Sequence, residues 1–308
     1  MVRLGARFTR EISVMDFRPL NDIRCEIGES PVWDDRTDAL FQVDIAAMKV
    51  YRFSPDGADA KAWSFPTEVG SIGLAESGKL VVALRHSVVL FDPADGASRT
   101  IAEIETALGP VTRLNDGKVG PDGAFWIGSM DERPRPVSDP KGALYRVTAD
   151  GRVEQKVTGL FTSNGLAFSP DGRSMFHTDS YGRWIDRWAL DPATGAISNR
   201  TRIATPTEEG GRPDGGATDA EGFYWSAGVS AHCLNRYTPD GRLVSKHEVP
   251  VASPTMPCFA GAGLKRLFLT SLRKGRSLEQ LARFPLSGAT LVADPPVAGA
   301  PVSRFRDR

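Results

Sequence analysis

The 308-residue chain predicts an all-β fold, a six-bladed β-propeller. Three observations carry that reading. Its 31 Gly and 22 Pro recur as turn signals along the whole chain and do not pool in one linker, as in Ser54-Pro55-Asp56-Gly57, Pro121-Asp122-Gly123, Ser169-Pro170-Asp171-Gly172 and Pro239-Asp240-Gly241. Between the turns lie short β-rich runs that pair into hairpins. The first strands of those hairpins begin at 41, 79, 124, 174, 223 and 267, a period of about 45 residues, which is the length of a four-stranded propeller blade.

The hairpins run 41–45 with 50–54, 79–84 with 88–92, 124–129 with 143–148, 174–179 with 184–190, 223–228 with 233–238, and 267–271 with 281–286. A short apolar run precedes each and supplies an innermost strand: Pro31-Val32-Trp33, Ile72-Gly73-Leu74, Gly117-Lys118-Val119, Gly165-Leu166-Ala167-Phe168, Gly216-Ala217-Thr218 and Cys258-Phe259-Ala260. Outermost strands follow at Ala62–Phe65, Thr100–Glu103, Arg202–Ala204 and Val244–Val249. The last hairpin has only a thin candidate after it, so Asp22–Ile27 is expected to complete the sixth blade and close the ring. Residues 1–16 read as an N-terminal extension and 17–308 as one propeller. No long 3.6-residue periodicity supports a helical fold; a seven-bladed or irregular sandwich arrangement is the main alternative.

Composition narrows the function. Lys+Arg and Asp+Glu are each 38, so net charge is zero, and neither nucleic acid nor an anionic membrane is an expected partner. Cys25, Cys233 and Cys258 form no Cys-x-x-Cys pair, which argues against a disulfide framework or a thiolate zinc site. The first 20 residues have no signal-peptide apolar core and no segment reaches membrane-span length, so a cytoplasmic location is expected.

Aligning the repeats on their turn glycines exposes one shared position, occupied by Glu29, Gly70, Asn115, Asn164, Asp214 and Thr255. At the head of each innermost strand, such residues form a ring at one mouth of the central channel. Each local sequence alone is ordinary turn chemistry. Together they put two carboxylates and two amides in a narrow channel, which a divalent cation would relieve. Oxygen ligands suit Ca²⁺, Mg²⁺ or Mn²⁺ and still admit Zn²⁺ or Fe²⁺.

At these residues the chain resembles the SMP-30/gluconolactonase (regucalcin-like) family of sugar lactonases, and within it bacterial aldonolactonases such as xylonolactonases. The resemblance runs from about Ile23 to Leu286. It is carried by Gly28-Glu29-Ser30-Pro31-Val32-Trp33, Arg113-Leu114-Asn115-Asp116-Gly117-Lys118, Trp126-Ile127-Gly128-Ser129-Met130, Ser163-Asn164-Gly165-Leu166-Ala167 and Arg212-Pro213-Asp214-Gly215. It implies a six-bladed propeller holding one divalent metal cation in its channel, with Glu29, Asn164 and Asp214 as ligands. It also implies Asp214 as general base and Arg113 and Asn115 as substrate contacts. After Met130 the run Asp131-Glu132-Arg133 departs from the family pattern. Glu132 is taken as the substrate contact, with Asp131 close behind.

The implied activity is metal-assisted hydrolysis of a small-molecule sugar lactone to its aldonic acid. Rival readings are a phosphotriester or aromatic-lactone hydrolase of related propeller type and a noncatalytic metal- or ligand-binding propeller. An ion pair inside the ring is the plain alternative for Arg113. No nucleophile elbow or His metal doublet competes. His86 and His232 read as rim or structural histidines, and Cys258 as core. The connection 131–142 is the expected recognition loop, with His86, Tyr181, Arg183 and His232 on the same rim.

Overall fold

The computed structural model describes residues 15–308 and contains six four-stranded antiparallel sheets. Blade 1 comprises β2 (Gly28–Asp34), β3 (Ala39–Asp44), β4 (Lys49–Phe53) and β5 (Ala60–Ser64), with β1 (Arg18–Pro19) lying upstream. Blade 2 holds β6 (Val69–Leu74), β7 (Leu80–Leu84), β8 (Ser87–Phe91) and β9 (Ser98–Glu103). Blade 3 holds β10 (Thr112–Val119), β11 (Phe125–Asp131), β12 (Gly142–Val147) and β13 (Val153–Leu160). Blade 4 is β14 (Ser163–Phe168), β15 (Ser174–Asp179), β16 (Trp184–Leu190) and β17 (Ile197–Ala204). Blade 5 is β18 (Pro213–Thr218), β19 (Tyr224–Gly228), β20 (Cys233–Tyr237) and β21 (Leu243–Glu248).

The sixth blade corrects two expectations. Its strands are β22 (Pro254–Ala260), β23 (Arg266–Ser271), β24 (Leu291–Ala293) and, from the other end of the chain, β1. Residues 281–286 are not the third strand, because Leu278–Arg283 form the short helix α1, started by a capping box between Ser277 and Gln280. The chain therefore makes an excursion before β24. Closure by the N-terminal segment holds, but Arg18 and Pro19 pair with Val292 and Leu291, whereas Asp22–Ile27 contributes only a bridge from Ile27 to Leu272. The expected extension, residues 1–16, lies outside the described residues except for its last two.

Buried apolar side chains collect between blades. Six clusters correspond to the six interfaces, including the closing one, where Trp33 of blade 1 stacks on Phe268 of blade 6 with ring centroids 6.2 Å apart. A propeller blade buries both faces, which is why the inner strands read as continuous apolar runs. Outer strands such as β5 and β17 are largely exposed.

The innermost strands share a further feature that positions the site. Each departs from regular pairing near its head: between Glu29 and Val32, Val69 and Ser71, Leu114 and Gly117, Asn164 and Ala167, Pro213 and Gly216, and Pro254 and Pro257. A bulge bends the strand and re-aims its side chains. Six of them at one level turn the ring residues toward the axis.

The far mouth is crossed by the C-terminal segment. Ala300 N–H donates to Thr218 O at 3.0 Å, Phe305 N–H to Leu74 O at 2.8 Å, and Arg306 N–H to Gly123 O at 3.0 Å, so one segment ties blades 5, 2 and 3 together. No helix among the described residues is long and apolar enough to cross a membrane.

Ring closure rests on a two-residue strand, so the burial of Met15, Phe17 and Leu20 must hold it. Phe17→Ala is expected to lower unfolding free energy by about 3 kcal/mol, measured by denaturant titration. A loss below about 0.5 kcal/mol would mean that the segment is a passive attachment.

Candidate active site at the channel mouth

Four of the six ring positions carry polar groups into the channel, and each of the other two is accounted for by its own surroundings. A Cβ on Gly70 would lie 2.6 Å from Leu114 O and 2.8 Å from Asn115 O, so blade 2 has no room for a side chain there. Thr255 Oγ1 donates to Gly28 O at 2.5 Å and is used up in joining blades 6 and 1.

The remaining four, with Arg113, are buried but not sealed, being 5–9% exposed. Asn115, Asn164 and Asp214 form with Arg113 one hydrogen-bonded chain across blades 3, 4 and 5. Arg113 Nη1 donates to Asn115 Oδ1 at 2.8 Å, Asn115 Nδ2 to Asn164 Oδ1 at 3.0 Å, and Asn164 Nδ2 to Asp214 Oδ1 at 2.7 Å. Glu132 extends it outward, its Oε1 3.2 Å from Arg113 Nε. Glu132 Oε2 also meets Arg85 Nη1 at 2.8 Å, and Arg85 in turn holds Glu68 at 2.8 Å. Arg113 does form an ion pair, but with Glu132 on the blade 3 connection and not with an acid of the ring. Asp131 faces its own loop: it pairs with Arg133 at 2.6 Å and accepts the Lys141 N–H at 3.0 Å. The structure thus sets Glu132, not Asp131, beside Arg113.

Glu29 stands apart from that chain. Its Oε2 accepts the Ser30 N–H at 2.9 Å, with Ser30 in the left-handed region at φ 47°. Burial raises its pKa well above the carboxylate range, and the charges of Asp214 and Asp116 push it further. Asp214 is pushed up to about 7, again chiefly by burial and then by Asp116. Neither acid has an ion-pair partner among the described residues.

This donor set fits a hard divalent cation. Glu29 and Asp214 bring carboxylate oxygens with no ion-pair partner among the described residues, and Asn164 brings an amide oxygen. In the structure Asn164 turns its Nδ2 toward Asp214, so holding a cation requires it to present Oδ1 instead, a rotation that also frees the Asp214 oxygen. No group of three or more His, Cys, Asp or Glu is clustered for a metal among the described residues; the third oxygen donor here, Asn164, is an amide.

Sequence reasoning gave Asp116 no role. It is 3% exposed, its Oδ2 accepts the Leu166 N–H at 3.0 Å, and its Oδ1 has no hydrogen-bond partner. Burial pushes its pKa up to about 6. The only signal was its place next to Asn115, inside the bulge. Below it a cavity of about 210 Å³ fills the channel, lined by Ser30, Lys118, Phe168, Met256 and Val302 among others. Lys118 Nζ donates to Gly216 O at 2.9 Å. His86 and His232 hold backbone carbonyls, Gly109 O at 2.8 Å and Ala252 O at 2.5 Å, and so brace rim loops. Burial pushes the Cys258 thiol up to about 12, which suits core packing and not nucleophilic attack.

Residues 27–273 match the family described as SMP-30/Gluconolactonase/LRE-like region. The chain belongs to that family. Among similar family members, a 6-deoxy-6-sulfogluconolactonase from Pseudomonas putida is 36% identical, covering 89% of this chain and 92% of the relative. An L-arabinolactonase from Azospirillum brasilense is 36% identical, covering 93% and 94%. Among solved structures, a calcium-binding regucalcin from Agrobacterium tumefaciens superposes with a TM-score of 0.88 at 27% identity, covering 95% of this chain and 98% of the other.

A cation must displace the proton that Asp214 carries below about pH 7. Divalent-metal affinity is therefore expected to fall at least tenfold between pH 8 and pH 5.5, with proton release on binding at pH 6.5. Calorimetry in two buffers of different ionisation enthalpy measures both. Affinity independent of pH across this range would remove Asp214 from the metal site.

Proposed function

We propose that this protein is a divalent-metal-dependent sugar lactonase, hydrolysing an aldonolactone to the aldonic acid. The observation that carries the reading is the hydrogen-bonded run Arg113–Asn115–Asn164–Asp214, with Glu29 buried near enough for the Asp214 charge to act on it. The relatives named as lactonases support it, and the calcium-binding regucalcin supports Ca²⁺ as one candidate ion, with Zn²⁺, Mn²⁺, Mg²⁺ and Fe²⁺ also compatible with these oxygens.

A lactone is a cyclic ester, and attack by water develops negative charge on its carbonyl oxygen. A bound divalent ion supplies Lewis acidity at that oxygen and lowers the pKa of water. Asp214, ionised once the cation is bound, accepts the proton of the attacking water. Arg113 can donate to an oxygen of the substrate while Glu132 holds its other edge. Asn115 donates and accepts, which matches a polyol hydroxyl. Glu132 accepts from hydroxyls outside the metal ligands, where a lost hydrogen bond changes substrate choice without removing a ligand.

Asp214→Ala is expected to abolish turnover, with its melting temperature kept near the parent value; an active variant would end the base assignment. Chelation should abolish activity and one divalent ion should restore it, which separates an enzyme from a binding propeller. On a lactone panel, Glu132→Ala should reorder kcat/KM among aldonolactones while metal affinity stays within about fivefold of the parent. An unchanged ranking would put recognition elsewhere.

A further inference from the structure

Beside Asp214 the mouth carries a cation with no anionic partner. Arg212 lies two residues before Asp214, at most about 7 Å along the chain, and its charge acts on the Asp214 carboxyl. Its backbone is fixed on both sides, the N–H donating to Ser230 Oγ at 2.9 Å and the carbonyl accepting from Val229 at 3.0 Å. The guanidinium makes no hydrogen bond and no ion pair among the described residues. It lies over the Tyr181 ring, 5.2 Å from the centroid.

Arg135, from the blade 3 connection, lies over the same ring at 4.6 Å, so the two guanidinium groups are within about 10 Å of each other. Tyr181 is 49% exposed, while its neighbour Ser180 accepts from Asn164 Nδ2 at 2.8 Å, which ties the turn that carries Tyr181 to the ring. Arg135 Nη2 donates to Asp131 O at 3.0 Å; its Nη1 has no hydrogen bond and stands 3.9 Å from Asp131 Oδ1. Four acids of the surrounding connections are occupied. Asp131 pairs with Arg133, Glu132 with Arg85 and Arg113, Glu208 with Arg183, and Asp179 accepts the N–H groups of Phe161, Thr162, Tyr181 and Gly182.

A guanidinium presents five donors in a planar fork and is most strongly satisfied by an oxyanion. Neutral hydroxyls can be read by amides, as Asn115 would do; an unpaired charge at the rim adds little for them. We propose that Arg212, with Arg135 across Tyr181, seats an anionic substituent on the exocyclic end of the lactone, so that the preferred substrates are sulfonated, phosphorylated or carboxylated aldonolactones. This rests on the lactonase reading above and adds the charge of the substrate to it.

The test compares kcat/KM, at pH 7.5 with saturating metal, for glucono-1,5-lactone and its 6-phosphate, 6-deoxy-6-sulfo and 6-carboxylate counterparts. The parent should favour at least one anionic lactone tenfold or more over the neutral one, and 0.5 M NaCl should narrow that ratio. Arg212→Gln and Arg135→Met should each cut the ratio at least fivefold. Arg212→Lys, which keeps the charge, serves if the glutamine variant does not fold, and should cut it less. Which anion gains most separates a tetrahedral from a planar seat. A parent ratio near one, or variants that depress neutral and anionic lactones equally, would overturn the inference and leave Arg212 as a counter-charge for Asp214. Hydrolysis of none of the four would instead bring down the lactonase reading on which it rests.

Discussion

Two carboxylates buried at one mouth of the channel, Glu29 and Asp214, repel each other and have no ion-pair partner among the described residues. Taking an ionised carboxylate out of water costs several kcal/mol even after relaxation. An arrangement of that kind persists in a fold only where the surrounding structure over-determines it. Here the determinants are far from the charges: six apolar interfaces between blades fix the ring, and six bulges fix which side chains face the axis. The unfavourable electrostatics of the site are thus held by packing that does not itself touch the site.

That division explains what was legible in the sequence. Blade count, hairpin positions and ring register follow from turn glycines and alternating apolar runs, because blade packing repeats the same solution six times. The repeat fails where the chain must close. Between β23 and β24 a capped helix is inserted, and the strand that finishes the blade is only Arg18–Pro19, too short to leave a pattern. Asp22–Ile27 has a stronger strand composition, but its residues serve other partners, with the Glu26 and Ile27 N–H groups both donating to Asp44.

The site was legible in the same uneven way. Glu29, Asn164 and Asp214 share a register, and register survives in a linear sequence. Asp116 does not share it; its burial and its lone oxygen arise from a bulge, which leaves little trace beyond an ordinary Asn-Asp-Gly turn. Arg85 escapes notice for a different reason. It reaches Glu132 from a neighbouring blade, 47 residues away, and such pairings depend on how two connections meet above the ring. Spacing did not distinguish the surroundings of Asp131 and Glu132, which differ because Arg133 engages Asp131 from within the loop while Glu132 meets Arg113.

The vertical order of the molecule separates chemistry from recognition. The ring residues lie on innermost strands, each paired on one side within its blade and packed against neighbouring blades, so their positions are rigid. The groups above them, Arg85, Glu132, Arg135, Tyr181 and Arg212, sit on connections and strand-flanking segments, where substitution does not disturb a blade interface. Below, the C-terminal segment and Lys118 close the channel without contributing to the mouth. A fold so layered can keep one hydrolytic centre while exchanging the groups that read the far end of a substrate. The guanidinium groups flanking Tyr181 belong to that exchangeable layer, with Tyr181 next to Ser180 and Arg212 two residues before Asp214.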